Sequence, residues 1–127
     1  MPAKRYNPAS DYAVFQSYSR MALKKVAHDS GLSVTDVDVL ICIHTLTKEN
    51  QTDVAHDLIS SRIGYAPATL YKSLHSLEKK GFLIKIGLGY SASTAGAYIV
   101  RNFSSELSRM VNGSGLSYWK RLQGVEG

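Results

Sequence analysis

The stretch Ile63–Gly87, IGYAPATLYKSLHSLEKKGFLIKIG, decides how this chain folds. Gly64 marks a turn near its start and Gly81 another near its end. Pro67 suits the first position of a helix, where a missing N–H is no loss. Leu70, Leu74 and Leu77 then fall at i, i+4 and i+7, which makes one buried stripe. The helix predicted from Pro67 to about Lys80 ends with Lys79 and Lys80 in its last turn, where cations suit the helix dipole, and Gly81 stops it. Its polar side carries Thr69, Lys72, Ser76 and Lys79 and almost no acid.

Reading outward, Asp57 precedes LISSRIG, a short helix closed by Gly64, with QTDVA before it as a single short strand. After Gly81, FLIKI and YSAS read as a hairpin with a three-residue tip, Gly87-Leu88-Gly89. Two short helices joined at a glycine turn, the second followed by a hairpin, make a helix-turn-helix with a wing. A helix has the width of the DNA major groove, and the first helix of such a pair braces the second across the backbone. The leucine stripe anchors one face of the second helix, so its opposite face stays exposed in a fixed orientation.

The run DLISSRIGYAPATLYKSLHSLEKKGFLIKIG resembles the winged-helix core of MarR-type bacterial regulators. The features that carry the likeness are Leu58 and Ile59, then Ile63-Gly64-Tyr65, Thr69-Leu70, Lys72, and LEKKGFL from Leu77 to Leu83. STAGAYIV is similar to the family's helix start after the wing, with Ser93 as cap and Gly96 in its usual place. The resemblance spans about Asp11 to Val111 and implies a homodimer that sets two recognition helices in successive major grooves of double-stranded DNA. Carried over by position, Ala68, Thr69, Tyr71, Lys72 and Ser76 face DNA. Arg62, Lys79, Lys80 and Lys85 meet phosphates, and Tyr65 and Tyr90 are further candidate contacts. The wing departs from the family pattern, which is longer and carries an aspartate and an arginine near its tip. The resemblance also implies an effector pocket between the dimer helices and the winged core. No ligand can be named from the residues, although Tyr12, Phe15, Tyr18 and Phe103 are candidates to line one.

The rest of the chain fits this frame. Residues 1–10 hold two prolines and two adjacent cations and read as a flexible basic arm. Residues 11–112 form the winged-helix domain with long dimerisation helices at both ends, and 113–127 a linker and short tail containing Trp119. The fold class expected is mainly α with a small β-hairpin wing. The first helix, from Asp11 to Gly31, has an apolar stripe of Tyr12, Phe15, Leu23 and Val26, widened by Val14, Tyr18 and Met21. SVTDVDVLICIHTLTKEN is apolar nearly all round; its β-branched run allows a strand, but its length and the Ser33 or Thr35 cap favour a buried helix. Ser93 or Thr94 caps the last helix, whose stripe runs from Tyr98 to Val111.

The totals set limits. Lys and Arg number 15 against 10 Asp and Glu, a net charge of +5 that suits a polyanion. One cysteine, Cys42, excludes an intrachain disulfide and reads as a buried inert thiol. The four histidines, His28, His44, His56 and His75, are scattered, so no metal site and no cofactor are expected. No nucleophile elbow or phosphate loop is present, and no enzyme is expected. MPAKRYNPASDY has no apolar run after its cations, and no stretch is long and apolar enough to span a membrane. The expected address is the cytoplasm, on the nucleoid. The function expected is sequence-specific DNA binding by a dimeric transcriptional regulator. Two other uses share the module: a plasmid or phage DNA-organising protein, and a winged helix that binds another protein.

Overall fold

Ser33 starts the helix at the centre of the molecule. Its hydroxyl accepts the Asp36 N–H at 3.0 Å and its carbonyl accepts the Val37 N–H at 3.1 Å. The helix so capped runs Val34–Asn50 and has Val37, Val39, Leu40 and Ile43 fully buried on several sides. The β-branched run is therefore a helix, as its caps and length predict.

The computed structural model describes residues 8–50 and 54–114. The elements are α1 (Pro8–Ser30), α2 (Val34–Asn50), β1 (Val54–Ala55), α3 (His56–Ile63), α4 (Pro67–Lys79), β2 (Leu83–Ile86), β3 (Gly89–Ala92) and α5 (Thr94–Ser114). α3, α4, β1 and β3 pack against α2, β2 packs against α4 and β3, and α1 and α5 pack on each other and on α2. Leu70, Leu74 and Leu77 of α4 are buried to 1% exposure or less, together with Ile59 of α3. Each such leucine contributes about 1.5–3 kcal/mol of hydrophobic stabilisation. A smaller cluster of Ala22, Leu107 and Val111, flanked by Phe15, Tyr18, Phe103 and Met110, joins α1 to α5.

Several ends differ from the sequence reading. α1 begins at Pro8, so the last three residues assigned to the basic arm are helical; Pro8 suits the first turn for the reason Pro67 does. α5 runs through Ser114, past the limit expected at 112. The rest of the arm and the tail with Trp119 lie outside the described residues. The expected hairpin gains a third strand: the sheet is antiparallel in the order β1-β3-β2. Its tip is two residues, Gly87-Leu88, not three, because Gly89 pairs with Ile86. Gly87 takes φ 59°, the left-handed region such tight hairpins use. Among the described residues no helix is long and apolar enough to cross a membrane.

Candidate nucleic-acid interface

The α3–α4 angle is set at Gly64, whose φ of 77° closes α3 and whose N–H donates to the Ser60 carbonyl at 3.3 Å. With the leucine stripe sunk against α2, α4 turns outward Ala68, Thr69, Tyr71, Lys72, His75 and Lys79, all exposed, with no acid in its first turn. Lys80 is exposed just beyond its end and donates from Nζ to the Gly31 carbonyl at 3.4 Å.

A groove of about 410 Å³ separates α4 from the start of α2. Thr69, Lys72, Ser76 and Lys80 line one side, and Ser33, Thr35 and Asp36 the other. Asp36 is the acid in this groove, and it is buried and fully engaged. It accepts from the Ser73 hydroxyl at 2.7 Å and the Ser76 hydroxyl at 3.5 Å, while its own N–H binds Ser33. Ser76 is thus half-buried and tied to α2. It acts as a strut between α4 and α2, with its hydroxyl turned towards Asp36.

Tyr65 is likewise turned inward. Its hydroxyl donates to Asp38 at 2.7 Å, and burial, reinforced by that carboxylate, pushes its pKa from 10.0 up to about 12. Tyr65→Phe should lower stability by about 1–2 kcal/mol at neutral pH. Because the folded pKa lies above the unfolded one, the wild-type advantage is complete below about pH 10 and is lost as pH rises towards 12. Urea unfolding at pH 7 and pH 11 checks both; an advantage that grows with pH contradicts the bond.

Arg62 is exposed at the end of α3, with Nη2 3.4 Å from a carboxylate oxygen of Glu49, a screened surface pair of small worth. On the wing, Lys85 is exposed and faces Tyr90 across the β2–β3 ladder, but Tyr90 packs half-buried against the core. The wing tip presents Leu88, 91% exposed. Thr69, Lys72 and Lys80 therefore share one groove, Ala68, Tyr71 and Lys79 extend the same helix, and Tyr65, Ser76 and Tyr90 are half-buried with partners inside the fold.

Two features escaped the sequence reading. Ser33 and Thr35, read only as caps, line the groove, and His56 stacks on Tyr71 with ring centroids 4.2 Å apart. The first was accessible in principle, since a helix start that packs beside a recognition helix brings its capping residues along. No local signal announced the second.

A separate cavity of about 550 Å³ lies between α2 and α5, with His44, Lys48, Val100 and Arg101 among its walls. Burial, and next the charge of Lys48, holds His44 below the usual imidazole pKa. The four aromatic residues considered for an effector pocket do not line this cavity: Tyr12 is exposed, and Phe15, Tyr18 and Phe103 pack in the α1–α5 cluster. Cys42 is half-buried rather than buried, and burial pushes its thiol pKa up.

No protein-family model matches the chain, and no curated protein does. Solved structures do. A single-substitution mutant of MepR from a multidrug-resistant S. aureus clinical isolate aligns with a TM-score of 0.63 at 13% identity, over 94% of this chain and 91% of that one. A MarR family protein of Mycobacterium tuberculosis, in complex with DNA, aligns with a TM-score of 0.64 at 12% identity, over 94% and 97% of the two chains. At these identities the likeness is one of fold. The chain has the MarR-type winged-helix fold from α1 to α5.

Proposed function

We propose that this chain, built on the MarR-type fold, binds double-stranded DNA as a homodimeric transcriptional regulator, with α4 in the major groove. The observation that carries this is the outer face of α4. Lys72, Lys79 and the adjoining Lys80 stand on it beside Thr69, while the opposite face is sunk in the core and cannot turn. The fold neighbour from M. tuberculosis, solved with DNA, supports the same reading. Lys72 and Thr69 meet base edges or the nearest phosphates, and Arg62, Lys79, Lys80 and Lys85 meet phosphates further out. Lysine at position 72 gives a point charge without the bidentate fork of arginine. The dimer reading rests on α1 and α5, which leave Val14, Met21 and Tyr98 exposed for a second copy to cover. Two copies then meet a near-palindromic site with half-sites about one helical turn apart.

Anisotropy titrations of labelled duplex DNA over a salt series test this reading. Wild-type affinity should fall steeply with salt, with a log–log slope of about 0.9 per phosphate contact. Lys72→Ala should weaken binding about tenfold and, if the lysine meets phosphate, lower the slope by about one contact. Lys120→Ala, in the tail, should change little. Equal losses from the two substitutions overturn the assignment of α4, and no binding by wild type at low salt overturns the DNA reading itself.

A further inference from the structure

The rings of His56 and Tyr71 lie face to face, with centroids 4.2 Å apart and planes 13° from parallel. The pair joins α3 to α4. His56 opens α3 directly after β1, and β1 pairs with Gly89 and Tyr90 of the wing. Tyr71 stands in the middle of the outward face of α4, beside Lys72, and is 56% exposed.

The polar environment of His56 does not explain its placement. Among the described residues its Nε2 is buried without a hydrogen-bond partner, and its Nδ1 lies 3.8 Å from the Asp57 carboxylate, beyond hydrogen-bond reach. Buried polar atoms normally find partners, and the contact seen on this imidazole is instead the face of the Tyr71 ring. Tyr71 gains from the same contact. An exposed tyrosine on a helix samples several rotamers, and fixing one costs side-chain entropy at the moment of binding. A flat partner over one ring face fixes the rotamer beforehand and leaves the hydroxyl free for a ligand.

We propose that His56 is a positioning residue of the DNA interface. It holds Tyr71 so that the phenol hydroxyl meets a phosphate oxygen next to the Lys72 contact, and it does so without touching DNA itself. This rests on the reading of α4 as the DNA-binding helix. Because Tyr71 is neutral, its contact adds affinity without releasing a counterion.

A double-mutant cycle in the full chain tests the proposal, using anisotropy on duplex DNA over a salt series, with thermal melts of every variant. Tyr71→Ala should weaken binding about tenfold, the scale of a hydrogen bond to a charged group. His56→Ala should weaken it by a similar factor, the double variant should be no weaker than Tyr71→Ala alone, and the salt slope should not move. His56→Phe, which keeps a flat ring, should stay within about twofold of wild type. Additive losses, a His56→Phe variant as weak as His56→Ala, or a reduced salt slope overturns the positioning role, the last because it would mean that α4 itself had shifted. If wild type binds no DNA, the reading of α4 fails and this role falls with it; if wild type binds and the cycle is additive, only the role of His56 fails.

Discussion

Gly96→Ala should lower the stability of the fold by about 3 kcal/mol, at the upper end of overpacking effects, and its melting temperature by about 10 °C. A methyl group at this position would run into the Phe82 carbonyl oxygen and lie 3.2 Å from Leu40 Cδ1. Neither neighbour can yield freely. The Phe82 carbonyl accepts the Ser93 N–H at 3.1 Å, and Ser93 is the cap of α5: its hydroxyl accepts the Gly96 N–H at 3.1 Å and donates to the Gly81 carbonyl at 2.6 Å. Moving the carbonyl would loosen the cap, and moving α5 would separate it from α2, where Leu40 is fully buried. Alanine is otherwise the better helix former by about 1 kcal/mol, so a propensity argument alone predicts stabilisation. Thermal unfolding followed by circular dichroism separates the two, and a melting temperature equal to or above wild type would refute the steric account.

This junction also shows what can be read from sequence and what cannot. The positions of Ser33, Gly64, Pro67, Gly81 and Ser93 announce where helices start and stop, because capping and left-handed turns are local chemistry. The spacing of Leu70, Leu74 and Leu77 announces which face of α4 is buried, because periodicity is local too. β1 has two residues and carries too little pattern to show its pairing; it exists because β3 offers it a ladder partner. The hairpin tip has two residues rather than three because Gly89 pairs with Ile86, a matter of strand register that the Gly-Leu-Gly triplet does not reveal. The partners of Tyr65 and Tyr90 inside the fold are not local either: one reaches Asp38, 27 residues away, and the other packs on the core. The His56–Tyr71 stack and the Asp36–Ser73 bond likewise join residues far apart in the chain. Lys72 and Lys79 are legible because they are exposed and none of the described residues pairs with them.

Introducing Val14→Asp together with Met21→Asp should split the proposed dimer and weaken binding to a palindromic site by about 10²–10⁴-fold. The two side chains lie seven residues apart, two turns along one face of α1, and are 37% and 53% exposed. Single exposed apolar residues are ordinary on a surface, but these two share one face of a helix that packs on α5 and α2, and none of the described elements buries them. A second copy related by a two-fold axis buries the same patch on both subunits, and an aspartate introduced on one faces the same charge on the other. Being exposed, the substitutions should leave the monomer's stability within about 0.5 kcal/mol. The size of the binding loss follows from linkage. When one subunit is docked, the second meets its half-site at an effective concentration in the millimolar range, and that advantage disappears with the dimer. Sedimentation velocity and anisotropy on whole and half sites should therefore change together: the variant should run as a monomer, and its affinity for the whole site should fall to that for the half site. A variant that stays dimeric places the interface elsewhere. A monomeric variant that holds the whole site as tightly as wild type would show that each chain binds alone, and the two-groove reading would have to be abandoned.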